Sequence, residues 1–134
     1  MSKKRIVFVC VENSNRSQMA EAFARIHGAD VAEVHSAGSR PSGIVNPKAI
    51  AAMAEKNYHL TTHQSKSLDD LPQMEWDYAI TMGCGDECPN LRAKHREDWP
   101  LPDPKTLPPE EFNKVRDEIE SRVKELVEQL REPI

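Results

Sequence analysis

The sequence predicts an α/β protein, a three-layer α/β/α sandwich around a central, mostly parallel four-stranded sheet. Short apolar, β-branched runs alternate along the chain with segments of helical periodicity, an order typical of parallel strands joined by right-handed crossovers. A length of 134 residues fits a single domain, residues 1–134, which can bury a core without disulfides. We therefore expect a ligand site beyond the carboxyl ends of the strands.

The first half of the chain supplies two strands and two helices. Residues 5–9 form an apolar run that ends at Cys10, which predicts a buried strand. Apolar residues at helical spacing follow from Ser17, with Gly28 as the expected C-terminal cap. Residues 31–36 predict a second strand, closed by Gly38. Asn46 and the proline after it predict the N-cap and first turn of another helix.

The second half predicts two further strands and a long closing helix. Residues 78–82 read as a strand, and residues 95–99 are a weaker candidate within a proline-rich stretch, 83–109, that is otherwise expected to be loop. Residues 110–130 place apolar side chains on one helical face, with acidic residues in the first turn. That stripe is expected to cover the sheet.

Composition and charge exclude several classes of protein. Hydrophobic residues make up 38% of the chain and charged residues 30%, as in a folded globular protein. The net charge of −4 argues against nucleic-acid binding through a basic surface. The longest apolar run, 6–11, is too short to span a bilayer, and no secretory signal is evident. We expect a cytoplasmic, monomeric protein whose three cysteines are chemical rather than structural.

The segment between the first strand and the first helix predicts an oxyanion site. Five residues separate Cys10 from Arg16, so the loop can curl its backbone N–H groups inward at a helix N-terminus. The Arg16 guanidinium matches two oxygens of a tetrahedral anion, and the same positive field favours a Cys10 thiolate to which Ser17 can donate. The substrate-binding residues are expected to be Val11, Glu12, Asn13, Ser14, Asn15, Arg16 and Ser17.

This loop has features that leave a second interpretation open. It contains no glycine, so Asn13 and Asn15 are the residues best suited to left-handed backbone angles. It also lacks the Gly-Lys-Ser/Thr ending of a nucleotide-binding P-loop. Cys10 alone could be a small apolar residue at a strand end, but its position between strand and helix favours function.

The stretch CVENSNRSQMAEAFAR, residues 10–25, resembles the active-site loop of thioredoxin-coupled arsenate reductases built on the low-molecular-weight protein tyrosine phosphatase fold. Phosphatase relatives usually have proline where this chain has Gln18. The resemblance continues through residues 36–38, 81–84, 88–89, Trp99 and 103–104, and so covers nearly the whole chain.

The resemblance implies a reaction and its residues. Cys10 would attack arsenate, and Asp103, once protonated, would protonate the leaving oxygen. Cys84 would then release arsenite by forming a disulfide with Cys10, and Cys88 would take over that disulfide and present it to thioredoxin. Cys84 and Cys88 lie closer together in sequence than in many thioredoxin-linked members. No cofactor is required.

Several alternatives remain. A phosphatase of this fold typically carries tyrosines after its Asp-Pro, where this chain has Lys105 and Thr106. Cys84, Cys88 and His95, with Cys10 as a possible fourth ligand, could bind zinc in a redox sensor, although structural zinc sites usually have two close pairs. Asp103 could simply form a turn.

Some family members bind potassium near the anion loop, and Asn13, Glu21 and Ser36 match positions used there. An aspartate expected further along is not evident in residues 63–66, so potassium is possible but unsupported. The simpler interpretation of Glu21 is a helix-surface carboxylate or a partner of the loop backbone. The histidines show no metal-binding spacing, and each is expected to be structural or to face solvent.

Overall fold

The computed structural model describes residues 3–71, 75–82 and 92–131 and contains the expected parallel sheet. Four parallel strands lie in the order β2-β1-β3-β4. The strands and helices are β1 (Lys4–Cys10), α1 (Arg16–Gly28), β2 (Ala32–Gly38), α2 (Pro47–Ala54), β3 (Trp76–Thr81), β4 (Ala93–Asp98) and α3 (Pro109–Arg131). Short 3-10 helices span Leu60–Thr62, Leu68–Asp70 and Pro104–Thr106.

Strand β1 lies inside the sheet and separates two apolar clusters. Ile6, Phe8 and Cys10 face a large cluster shared with α1, α2 and α3, whereas Val7 and Val9 face a smaller one that includes Leu71 and Trp76. Successive side chains of a strand point to opposite faces, and both faces of β1 are covered. This accounts for its unbroken apolar sequence.

The weaker strand candidate is confirmed as β4, and the reason it is weak in sequence is visible. It pairs with β3 alone at the edge of the sheet, and most of its side chains are exposed. Charged residues on an edge strand discourage pairing with another chain, at the cost of the apolar pattern that identifies a strand.

Helix α1 differs from its prediction at its C-terminal end. Gly28 is the last helical residue, and Ala29 occupies the cap. A Cβ at Gly28 would lie 2.7 Å from a Val127 methyl, so glycine allows the close approach of α3 rather than a left-handed cap. Ile26, which has the helical spacing predicted for the apolar face of this helix, is 43% exposed.

The boundaries of α2 and α3 confirm their sequence signals. The Asn46 side chain accepts from the backbone N–H of Lys48, and Pro47 begins α2. The predicted stripe of α3 is buried, with Phe112, Ile119 and Val123 in the large cluster. Among the described residues, no helix is long and apolar enough to cross a membrane.

Candidate active site

The loop that follows β1 lies at the point where the strand order reverses. The chain leaves β1 for α1 and β2 on one side and returns to β3 on the other, so a crevice opens at the carboxyl end of β1. Of the two asparagines expected to replace glycine, Asn13 adopts a left-handed conformation with φ of 50°. Asn15 has φ of −125° and precedes the first turn of α1. One left-handed residue is therefore enough to turn this loop.

The segment after β2 holds the anion loop from one side. Backbone N–H groups of Arg40, Ser42 and Asn46 donate to the carbonyls of Val11, Glu12 and Ser14, at 2.8, 3.0 and 3.1 Å. These bonds engage three carbonyls of the loop, and the backbone N–H groups of the same loop are the donors that an anion would bind.

Gly38, at the end of β2, permits the closest contact with this loop. A Cβ at Gly38 would lie 2.5 Å from the carbonyl oxygen of Val11 and 2.9 Å from the backbone nitrogen of Asn13. Both are backbone atoms, which cannot rotate away. The path of the anion loop therefore requires glycine at this position.

The loop and the Pro102–Asp103 turn enclose an open cavity of about 480 Å³. The thiol of Cys10 lines it although the residue is only 3% exposed, and the Cys10 Sγ lies 2.9 Å from the Ser17 Oγ. The residues lining the cavity are Cys10, Val11, Glu12, Ser14, Asn15, Arg16, Leu101, Pro102 and Asp103. Asn13 and Ser17 are fully buried and lie outside this set, so their side chains support the loop.

Arg16 and Asp103 converge on the cavity from distant parts of the chain. Arg16 is 8% exposed, and its guanidinium donates to the carbonyl of Leu101 at 3.0 Å. Leu101 is two residues before Asp103, whose carboxylate accepts from the backbone N–H of Lys105. Asp103 thus caps a short 3-10 helix, which agrees with its interpretation as a turn residue. It also lines the cavity beside the anion loop.

An ion pair that the sequence did not suggest connects the two sides of the cavity mouth. The Lys105 Nζ lies 3.3 Å from a Glu12 carboxylate oxygen, and the Lys48 ammonium donates to the Lys105 carbonyl. Glu12 and Lys105 are 93 residues apart, so local sequence carries no signal for this contact. It spans the gap between the turn of Asp103 and the anion loop.

Glu21 is a buried group, which corrects its assignment as a surface carboxylate. It is 4% exposed, accepts from the Ser36 hydroxyl and pairs with the Arg25 guanidinium at 2.9 Å. A signal was present: α1 begins with a run of polar residues inside an otherwise apolar pattern, and buried polar residues in a helix usually have partners.

The residues considered for potassium lie together, but protein donors already satisfy them. The Asn13 side-chain oxygen accepts from the Lys66 backbone N–H and from Gln18, both at 2.9 Å. Glu21 is neutralised by Arg25, with the Lys66 ammonium 3.8 Å away. A cation would have to displace these donors, so the side chains present here do not fit potassium.

With Cys10 as its fourth ligand, the zinc alternative would require Cys10 and His95 to approach one another, which the sheet register opposes. His95 pairs with Tyr78, and Tyr78 is level with Ile6, four residues before Cys10 on β1. At about 3.3 Å per residue the two lie roughly 13 Å apart along the strands, too far to share one zinc ion. Cys84 and Cys88 lie outside the described residues.

The His63 side chain is 6% exposed and contacts Gln18 behind the anion loop, and its environment predicts that the free energy of unfolding falls in acid. Burial lowers the pKa of His63, the Arg25 and Lys66 cations lower it further, and Glu21 opposes them. Burial also raises the pKa of its neighbour Tyr58. An unfolded histidine therefore binds protons more readily than folded His63. The free energy of unfolding should be fully retained above about pH 6.5 and should fall as the pH drops below it.

This sensitivity is measurable by urea unfolding between pH 5 and pH 7.5. We expect His63→Gln to flatten the decline below pH 6.5, because the variant has no group to protonate there. His59→Gln is the matched control, since His59 is exposed on the same segment. Equal slopes for the parent and His63→Gln would contradict the assignment.

The fold and the cavity define a class of protein: an α/β domain with a cysteine thiol and an arginine at an oxyanion loop, after the first strand of a parallel sheet. A family model described as low molecular weight phosphotyrosine protein phosphatase matches residues 5–133. The chain belongs to this family.

Three similar proteins have the same activity in their names. "Arsenate reductase" of Staphylococcus aureus (strain Newman) is 42% identical over 123 residues, covering 89% of this chain and 92% of that protein. A solved structure described as an arsenate reductase in the phosphate binding state superimposes with a TM-score of 0.84 at 36% identity, covering 95% of this chain and 98% of the other. The structure of a thioredoxin-dependent arsenate reductase of Corynebacterium glutamicum superimposes with a TM-score of 0.78 at 30% identity. The match covers 96% of this chain and 62% of the other.

Proposed function

We propose that this protein reduces arsenate to arsenite, with Cys10 as the nucleophile. The observation that carries the proposal is the convergence of Cys10, Arg16 and Asp103 on one cavity of about 480 Å³, in a chain whose relatives are named arsenate reductases. A tetrahedral oxyanion matches the donors there: loop N–H groups at the start of α1, and a guanidinium.

In the first step, the Cys10 thiolate attacks arsenic. A sulfur–arsenic bond forms, and one arsenic–oxygen bond breaks. Asp103 gives its proton to the departing oxygen, which leaves as water. Arg16 and the loop N–H groups stabilise the charge on the remaining oxygens. Arsenic is still As(V) at this stage.

Reduction follows when the Cys84 thiolate attacks the sulfur of Cys10. A Cys10–Cys84 disulfide forms, the sulfur–arsenic bond breaks, and its electron pair stays with arsenic, which leaves as As(III) in arsenite. Cys88 then attacks Cys84, which moves the disulfide to Cys84–Cys88 and frees Cys10. Two electrons from thioredoxin reduce that disulfide. The short spacing between the two cysteines suits direct transfer within one segment.

The partner and setting follow from this chemistry. We propose thioredoxin as the reductant, in line with the thioredoxin-dependent relative from Corynebacterium glutamicum. A cytoplasmic location would keep all three thiols reduced between turnovers. We propose that residues 1–134 act as one domain and as a monomer.

A phosphatase is the second candidate, favoured by the family model that matches the chain. Both reactions begin with thiolate attack on a tetrahedral anion, but hydrolysis needs neither Cys84 nor Cys88. The residues after Asp103 also differ, since Lys105 is paired with Glu12 at the cavity mouth where an aromatic side chain would contact an aryl phosphate.

Replacing Cys84 by serine separates the two activities. Arsenate is supplied with thioredoxin, thioredoxin reductase and NADPH, and NADPH oxidation is followed. We expect multiple-turnover reduction to fall by about 10³-fold or more, because the thiol that attacks the Cys10 sulfur and releases arsenite is gone. Arsenate should still protect Cys10 from alkylation, which would place the loss after binding.

Reduction at the parental rate in Cys84→Ser would contradict the relay. Hydrolysis of p-nitrophenyl phosphate by the parent without arsenate turnover would favour the phosphatase. One equivalent of zinc retained through purification would favour a metal-binding redox sensor instead.

A further inference from the structure

A continuous chain of hydrogen bonds runs from the rear of the anion loop to Cys10. Tyr58 contacts His63 at 2.6 Å, and His63 Nδ1 contacts the side-chain oxygen of Gln18 at 2.9 Å. The Gln18 amide donates to the Asn13 side-chain oxygen at 2.9 Å, and the Asn13 amide donates to the Ser17 Oγ at 2.8 Å. Ser17 ends the chain at the Cys10 Sγ.

Backbone groups set the direction of these bonds. The Gln18 amide nitrogen also faces the backbone carbonyls of Asn13 and Gln64, at 3.1 and 2.9 Å, and carbonyls only accept. The Asn13 side-chain oxygen receives the backbone N–H of Lys66, which only donates. Flipping either side-chain amide would place a donor against a donor or an acceptor against an acceptor. The orientations of both amides are therefore fixed.

The orientation of the Asn13 amide determines the direction of the Ser17 hydroxyl, which contacts the thiol of Cys10. Because its side-chain oxygen faces Lys66, Asn13 must present its NH₂ group to the Ser17 oxygen. The Ser17 oxygen thus accepts from Asn13, and the single hydroxyl hydrogen is left to point at Cys10. An O–H group held in this way stabilises a thiolate more than a thiol, since hydrogen bonds to a charged acceptor are the stronger ones.

We propose that Gln18, held by His63 and the Gln64 carbonyl, is a positioning residue that orients the Ser17 hydroxyl toward the Cys10 thiolate. Gln18 is 0% exposed and is not among the residues that line the cavity, so it acts through Asn13 and Ser17. The inference rests on the proposed function only in taking Cys10 as the nucleophile. Its test measures the thiol itself and requires no arsenate.

His63 completes the arrangement from the other side. The Gln18 oxygen can only accept, so His63 Nδ1 carries the hydrogen, and Nε2 is left to accept from the Tyr58 hydroxyl. The charged groups around His63 are Glu21, Arg25 and Lys66. A glutamine at position 63 offers one donor and one acceptor and can replace the neutral imidazole, whereas leucine offers neither.

The test uses a background in which Cys84 and Cys88 are serine, so that Cys10 is the remaining cysteine of the three. The rate of alkylation by iodoacetamide is measured from pH 5 to pH 10 in this parent and in Gln18→Leu. We expect the midpoint of the rate profile to rise by about one pH unit in Gln18→Leu, about a tenfold loss of thiolate below the midpoint. Gln129→Leu, a change at an exposed glutamine on α3, should leave the midpoint in place.

A second pair of variants covers the case in which Gln18→Leu does not fold. His63→Leu should raise the midpoint, and His63→Gln should restore it, a difference that a loss of packing would not produce. Superimposable profiles for the parent and a folded Gln18→Leu would overturn the proposal. So would identical midpoints for the parent, His63→Leu and His63→Gln.

Discussion

Cys10→Ser is expected to abolish arsenate reduction, with a loss of about 10⁴-fold or more in kcat. A serine hydroxyl is far less ionised than a thiol at neutral pH, so the oxyanion would meet no nucleophile. An ester formed in spite of this could not be released reductively, because serine oxygen forms no disulfide with Cys84. Thioredoxin-coupled NADPH oxidation measures the loss directly.

Oxyanion binding is the control for this variant. The loop N–H groups and Arg16 remain, and the side chain changes by a single atom, so phosphate affinity by calorimetry should stay within several-fold of the parent. Turnover above a few per cent of the parental rate would show that a different residue attacks arsenic.

Gly38→Ala is expected to reduce kcat/KM by on the order of 10²-fold while the protein remains folded. The new methyl would lie 2.5 Å from the Val11 carbonyl and 2.9 Å from the Asn13 nitrogen, so the loop must move outward. A displacement of about 1 Å at reacting groups costs about that much in rate, and overpacking lowers stability by about 1–3 kcal/mol. Steady-state kinetics and urea unfolding measure the two effects.

Gly28→Ala is the matched change at a distance from the site. Its methyl would meet the Val127 side chain at 2.7 Å, and Gly28 lies about 18 Å along α1 from Arg16. We expect the unfolding free energy to change and kcat/KM to stay at the parental value. Equal losses of kcat/KM in both variants would mean that the effect of Gly38→Ala is one of stability alone.

Local sequence patterns were sufficient to predict the helices and strands, and to predict Cys10 and Arg16 as residues of the site. Asn46 and Pro47 identify the start of α2 because capping depends on neighbouring residues alone. Cys10 ends β1 and Arg16 begins α1, and because the two are only six residues apart they lie on the same loop. The family resemblance added Asp103, and the structure places it at the same cavity.

The sequence by itself determined the parallel sheet, the loop that joins β1 to α1 and the candidate nucleophile, because apolar periodicity and short-range turns act within a few residues. The tertiary structure alone decided the burial of Glu21, the close approach of Gly38, the bonds of Gln18 to His63 and Gln64, and the bond of Asn13 to Lys66. Those contacts join groups 15 to 53 residues apart in sequence. Which polar groups meet across such separations depends on how helices and loops pack on the sheet, and no local pattern encodes it.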